Sequence, residues 1–270
     1  MLRKPLAFLK KDFLMEISYR FSFVLQFASI FFSVVLFYFV GQLLGEAPSV
    51  QRSISEYGGD YFSFVLIGIA FQNFLSVGLG SFSNNIRAEQ MIGTLEAMLV
   101  SPTRLPTIVL SSSQWSFAFT SIRVGAYLLL GGLFFGVSFG GARVLPALTA
   151  LVLTVVAFSS LGIISASFIM IFKKGDPIAW AISTSSTLLG GVYYPITILP
   201  DWLQIASYAF PITYALRAIR LSLLQGQGFS QVGGDLGALV IFSAITLPIS
   251  LLIFRFAVRR AKRDGSLAYY

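Results

Sequence analysis

The sequence predicts an all-α integral membrane protein, and three observations predict it. Hydrophobic residues make up 56% of the 270, charged residues only 11%, and mean hydropathy is +0.81; soluble domains are roughly 45–50% apolar and 25% charged. Apolar runs recur along the chain, each near the ~20 residues that a helix needs to cross the hydrocarbon core. The charges gather between these runs, where they orient a chain in a bilayer. Backbone exposed to lipid must satisfy its own hydrogen bonds, so the runs are read as helices.

The first element precedes the first span. Leu2, Leu6, Leu9, Phe13 and Ile17 fall at helical spacing, with Arg3, Lys4, Lys10 and Lys11 elsewhere on the wheel. This predicts an interfacial helix over residues 1–20 on the inner leaflet, against the plainer reading of a polar extension of span one. A small-residue cleavage site after a short apolar core is missing, so no cleavable signal peptide is expected. The spans follow at Phe21–Leu44, about Tyr61–Phe82, about Ile108–Val137, about Leu145–Phe172, from Pro177 to near Tyr193, and Leu236–Phe256. Every gap between them is short, so residues 1–270 form one transmembrane domain.

Residues 196–224 tempt a seventh span, but Pro200 and Pro211 cut the segment into pieces too short to cross. Proline suits the first turn of a helix and disrupts its interior. Two re-entrant half-helices are therefore expected between the fifth and sixth spans, starting near Pro200–Asp201 and near Pro211. Six crossings then place Arg3, Lys4, Lys10, Lys11, Arg20, Arg87, Arg104, Lys173, Lys174, Arg259, Arg260, Lys262 and Arg263 on one side. The positive-inside rule makes that side cytoplasmic, with both termini there and the chain a multi-pass protein of the cytoplasmic membrane. A seventh crossing would expose the C-terminal basic cluster outside.

Composition also excludes chemistry. The chain has no Cys and no His, which removes thiolate nucleophiles, disulfides, most zinc sites and imidazole acid–base catalysis; no metal site and no catalytic residue is expected. A net charge of +8 does not point to nucleic acid, because the cations are distributed as topology signals. A P-loop needs G-x-x-x-x-G-K-[ST] to hold phosphates, and the sequence contains no Gly-Lys pair. The spans carry no carboxylate, whereas proton-coupled carriers place Asp, Glu or His inside the membrane. A passive channel or membrane scaffold stays compatible with all of this.

The segment over residues 86–102, "IRAEQMIGTLEAMLVSP", is acidic in a greasy neighbourhood. At 100° per residue Glu89, Gly93 and Glu96 share one ridge, Met91, Ile92, Leu95, Met98 and Leu99 another face, and Arg87, Gln90 and Thr94 lie to the other side. Two readings fit this pattern: a loop helix packed under its own bundle, or a docking element seated in a groove of a cytoplasmic partner. The run "EQMIGTLEAMLVSP" resembles the cytoplasmic loop between the second and third spans of ABC-2 type ABC-transporter permeases. "GGVYYPITILPDWLQIASYAFPITYALRAIR" (Gly190–Arg220) is similar to the same family's aromatic-Pro turn, Leu-Pro-x-Trp-Leu and Pro-x-Thr-x-Ala pattern.

Order, spacing and span count match over essentially the whole chain. The resemblance implies the fold just described and a partnership: a second permease copy, as a homodimer, or else a similar chain, with two copies of an ABC ATPase subunit that binds ATP and Mg. Arg87, Glu89, Gln90, Gly93, Thr94 and Glu96 would then lie on the coupling helix that carries the energy of ATP into the spans. The implied function is export of a hydrophobic or amphipathic drug, natural product or lipid, with polysaccharide or lipid-linked glycan as the alternative cargo.

Four further features are candidates for a substrate path or gate. Arg123 is the one charge inside a span, and intramembrane ionisable residues are functional suspects; pairing with backbone carbonyls or a neighbouring chain is the competing reading. Arg217 and Arg220, at i and i+3, could receive an anionic headgroup at the outer exit, with interfacial snorkelling the favoured account. Tyr193 and Tyr194, before Pro195, could line the path or belong to the interface belt, as could the aromatics Phe31, Phe32, Phe37, Tyr38 and Phe39 of span one.

Overall fold

The structure, a computed structural model, describes residues 10–11, 13–14, 18–45, 47–92, 105–172 and 176–263. Among the described residues all regular structure is helical. In chain order the helices are α1 (Arg20–Leu44), α2 (Pro48–Ile54), a 3₁₀ turn (Ser55–Tyr57), α3 (Tyr61–Ile92), α4 (Leu105–Phe134), α5 (Val144–Phe172), α6 (Pro177–Leu189), a 3₁₀ turn (Ile196–Ile198), α7 (Asp201–Ser207), α8 (Pro211–Leu224) and α9 (Phe229–Arg263). Five of them, α1, α3, α4, α5 and α9, are long and apolar enough to cross a membrane. Before α1, the described residues 10–11, 13–14 and 18 are helical, and Phe13 meets Trp115 of α4 edge-on at 5.3 Å. The other residues of the expected interfacial helix lie outside the described ones.

Local chemistry sets the boundaries. Gly58 (φ 101°) and Gly59 (φ 74°) turn the chain in the left-handed region, which glycine enters without a Cβ penalty. Asp60 then caps α3: its carboxylate accepts from the Ser63 N–H at 2.9 Å and the Phe62 N–H at 3.3 Å. Asp176 caps α6 through the Ala179 N–H at 2.9 Å and accepts from the Ser165 hydroxyl of α5, so one side chain both starts a helix and docks it. Proline occupies the first turn of α2, α6 and α8.

The bundle is built around α3. Its apolar window is 78% buried against 11% for α1, so α3 is the central rod and α1 an outer one. The main core runs from Ile30 and Val34 of α1 through Phe64, Leu66, Ile67 and Leu75 of α3 to Phe158 of α5, Leu216 and Ile219 of α8, and Leu239 of α9. A second cluster at the far end joins Phe82, Ile163, Ala166, Met170, Phe254, Ala257 and Val258. The outward surfaces are also apolar, with Phe32, Phe39, Leu43, Leu133, Leu252 and Phe256 exposed. A soluble protein would hide such area, whereas lipid accepts it.

Small residues let the helices touch. A Cβ added to Gly162 of α5 would stand 2.2 Å from the Gly78 carbonyl oxygen of α3, and one on Gly78 would stand 2.6 Å from the Phe158 Cβ. This backbone-to-backbone contact is the packing that glycine allows between membrane helices, where dispersion rather than water exclusion drives association.

The fifth span differs from its expectation. From Pro177 the helix stops at Leu189, because Gly190 and Gly191 (φ 76°) break it. Its 13 residues reach about 20 Å, short of the roughly 30 Å hydrocarbon core. The chain still changes ends between α5 and α9. Met170 packs with Phe82 at one end of the bundle, whereas Cβ atoms on Gly58 and Gly226 would meet the Gln225 side chain and the Gly141 carbonyl at the other.

Candidate functional site

The α6–α8 segment meets α3, α9 and the Ser55–Tyr57 turn around Arg220. Gly68 of α3 permits this approach, since a Cβ there would lie 2.1 Å from the Val192 carbonyl oxygen. Arg220 is buried, 2% exposed. Its Nε donates to the Phe64 carbonyl at 3.1 Å, Nη1 to Gly191 at 2.8 Å and Nη2 to Val192 at 3.0 Å. The guanidinium carbon lies 3.5 Å from the Phe64 ring centroid and 5.8 Å from that of Tyr57. The expected snorkelling is therefore corrected for Arg220. It sits on the inward face of α8 beside Leu216 and Ile219, where carbonyls at a helix end and in an irregular turn replace water.

Arg217, one turn earlier, lies about 60° round the helix at its exposed edge. It alone is exposed between Pro211 and Leu223. Its Nη2 and Nε donate to Glu56 Oε1 at 2.8 and 3.2 Å, and Nη1 stands 3.8 Å from Asp235 Oδ1. One guanidinium thus ties α8 to the Ser55–Tyr57 turn and to α9. Around it lies a cavity of about 180 Å³ lined by Tyr57, Tyr208, Thr213, Tyr214 and the two carboxylates, with Pro195 and Arg220 also at its wall. Drug-sized ligands occupy roughly 300–1,000 Å³, so in this conformation the cavity admits a small polar group only. Burial raises the pKa of the Tyr57 phenol above its ordinary value, with the Arg220 charge acting against it, so the phenol stays neutral and can donate into the cavity.

Tyr193 and Tyr194 form the hinge between α6 and α7, and both are engaged within the chain. The Tyr193 ring stacks on Phe37 of α1 at 5.6 Å with a 13° tilt. Its hydroxyl donates to Gln72 Oε1 at 3.4 Å, and Gln72 Nε2 donates to Thr187 of α6 at 2.8 Å. The Tyr61 hydroxyl donates to the Tyr193 carbonyl at 3.1 Å, and the Tyr194 hydroxyl donates to the Leu188 carbonyl. Sequence reasoning missed Tyr57, Gln72, Thr187 and Asp235 as members of this region. Gln72, a polar side chain in a charge-free span, was the available signal; Asp235, one residue before the expected last span, lies inside α9, 7% exposed.

Arg123 stands at the middle of the apolar stretch Ser113–Phe134, about 16 Å from either end at 1.5 Å per residue. It is half-buried, with its guanidinium 4.7 Å from the Phe119 ring centroid, and Phe119 stacks on Trp115 and approaches Phe23 and Phe27 of α1. It lies on the α1–α4 seam, away from the cavity around Arg217.

The acidic segment begins as a continuation of α3. That helix has 32 residues and spans about 48 Å, so roughly 18 Å projects beyond the hydrocarbon core if its capped end lies at the opposite surface. Ile86–Ile92 therefore prolongs a span rather than opening a separate helix. Arg87 is exposed, Glu89 and Gln90 sit on the helical end, and Gly93, Thr94 and Glu96 lie outside the described residues.

Comparison with known proteins bears on both ends of the bundle. The family model described as ABC-2 type transporter matches residues 6–224. The inner membrane transport permease YadH of Escherichia coli (strain K12) is 27% identical over 208 residues, 76% of this chain and 78% of that protein. The YadH of Shigella flexneri matches with the same identity and coverage.

Proposed function

We propose a function from one premise: this chain belongs to the ABC-2 type transporter family. In our reading it is the permease subunit of an exporter in the cytoplasmic membrane. A separate subunit binds ATP and Mg and hydrolyses the nucleotide. Two permease copies and two ATPase subunits form the working unit, and the cargo is a hydrophobic or amphipathic drug, natural product or lipid. The observation that carries this reading is the projecting end of α3, which runs from the buried centre of the bundle into the acidic segment. The sequence holds no P-loop lysine of its own, so the energy must enter from another chain. On the helical wheel that the sequence predicts, Glu89, Gly93 and Glu96 would offer a partner groove charge on one face and apolar anchorage on the other.

The broken segment completes the scheme. α6 and the turn that follows it serve as the fifth crossing, and α7 and α8 come after it as half-helices re-entrant from the outer side. Arg217, drawn between Glu56 and Asp235, closes the outer cavity. A glycan cargo is the second reading, and one observation favours it: tyrosine rings stand beside carboxylates in that cavity, a combination that stacks on and hydrogen-bonds to sugars.

The test is the double substitution Glu89→Lys with Glu96→Lys. We expect ATPase stimulation and transport to fall at least about tenfold, as loss of 1.4 kcal/mol of coupling requires, while the chain inserts normally. Unchanged coupling in that variant removes the docking role. A purified chain that conducts alone and captures no P-loop subunit establishes the passive channel instead.

A further inference from the structure

One charged patch takes no part in the scheme above. The last turns of α9 present Phe256, Arg259, Arg260 and Arg263 on one face, at i, i+3, i+4 and i+7, around a cavity of about 370 Å³. The opposite face is anchored: Phe254, Ala257 and Val258 are buried against Phe82 of α3 and Ile163, Ala166 and Met170 of α5. Phe256, Arg259, Arg260 and Arg263 are all exposed. Arg255, one turn before Arg259, is exposed as well. Among the described residues no carboxylate forms an ion pair with Arg255, Arg259 or Arg263.

The depth of this face is set by the helix itself. Asp235 lines the outer cavity. Phe256 follows it by 21 residues, about 32 Å at 1.5 Å per residue, close to the ~30 Å thickness of the hydrocarbon core. The Phe256 ring therefore stands at the acyl boundary. Arg259 and Arg260 stand about 5–6 Å further, within the headgroup layer, and Arg263 about 10 Å further. Apolar ring first, guanidinia next is the order of groups in a phospholipid read from chain to phosphate. Guanidinium binds phosphate oxygens in bidentate fashion, and the negative end of the helix dipole favours cations here without neutralising them. Arg255, Arg259 and Arg263 follow one another at one-turn spacing, where like charges repel, and a bound anion relieves that repulsion.

We propose that Phe256, Arg259, Arg260 and Arg263 form a binding site for the phosphate headgroup of an anionic phospholipid of the inner leaflet. The site fixes the register of α9 in the bilayer and, through the buried contact with Met170 and Phe82, the inner ends of α5 and α3. A soluble phosphate shares the chemistry but not the adjoining aromatic ring at acyl depth. The assignment rests on the reading that this end of α9 faces the cytoplasm.

The experiment uses the full chain with its ATPase partner, reconstituted in nanodiscs. Three lipid conditions are compared: phosphatidylcholine alone, phosphatidylcholine with phosphatidylglycerol, and phosphatidylcholine with inorganic phosphate in the buffer. Thermal unfolding and native mass spectrometry of retained lipid are read for the wild type, R259K/R263K and R259Q/R263Q. The expected result is stabilisation by phosphatidylglycerol of several degrees in the wild type and less in the lysine variant, which keeps the topology signal. The glutamine variant should show none and retain at least fivefold less of that lipid. Equal retention in all three proteins overturns the site, as does equal stabilisation by inorganic phosphate. Loss of the ATPase subunit with lipid retention unchanged overturns it in favour of a protein contact. Because the chain has no cysteine, S266C gives a clean topology reporter. Labelling from outside overturns the cytoplasmic reading itself, and labelling only from inside with no phosphatidylglycerol effect overturns the lipid site alone.

Discussion

Two arginines one helical turn apart have opposite employments. Arg220 satisfies three carbonyls in a dry setting, so Arg220→Met leaves unmet acceptors and a gap. A buried acceptor without its partner costs about 1–3 kcal/mol, and several share this one donor. The unfolding midpoint in detergent should drop sharply for that variant, with loss of folded protein an acceptable extreme. Arg217→Gln removes a half-exposed pair with Glu56 of a kind worth about 0–1 kcal/mol and takes the nearby cation from buried Asp235, so its midpoint should fall by less than that of Arg220→Met while opening of the cavity around it changes, readable as altered accessibility of a cysteine placed at Thr197. Equal destabilisation by both substitutions contradicts the division of labour. Sequence periodicity puts Arg217 and Arg220 about 60° apart on the wheel, and it does not say which of them turns inward, because the partners of Arg220, Phe64 and Val192, are far off in the chain. No local pattern encodes which distant carbonyls will lack a donor.

Helix ends and helix contacts were unevenly legible. Spans one to four and the last were read close to their observed positions, as were the starts of α7 and α8, because Pro200 and Pro211 carry their own geometry. The second span was read as ending near Phe82 and the last as Leu236–Phe256. Hydropathy marks the slab, whereas backbone hydrogen bonding carries α3 on to Ile92 and α9 from Phe229 to Arg263. The fifth span was misjudged in length because Gly190–Gly191 looked like a loss of pattern and is a break. Glycine pairing was invisible, since it depends on which helices meet. It yields a prediction at this scale: Gly162→Leu must force α5 away from Gly78, and overpacking of this kind costs about 1–3 kcal/mol. Gly125, with open space around its Cβ position, supplies the control, because Gly→Ala in a helix interior gains up to about 1 kcal/mol. Thermal unfolding of the two variants should move in opposite directions.

At the scale of the whole molecule, apolar side chains face outward along α1, α4 and α9, and either lipid or a second copy can cover them. If the permease works as a pair, the complex purified in mild detergent should have the mass of two permease chains and two ATPase subunits by light scattering. A stable one-to-one complex contradicts that stoichiometry.

The contact between Gly78 and Gly162 also has a mechanical reading. A stiff rod whose backbone presses on a neighbour's can pivot there as a lever, with that contact as its fulcrum. Gly78 divides α3 into arms of about 21 Å towards Ile92 and about 26 Å towards Tyr61. A push that tilts the inner arm by 1 Å therefore displaces the outer arm by about 1.2 Å in the opposite sense, directly beneath Phe64 and the guanidinium of Arg220. In the proposed scheme such a pivot would pass stroke from one end of the bundle to the other at nearly unit gain, with neither a linkage of many joints nor a change of fold.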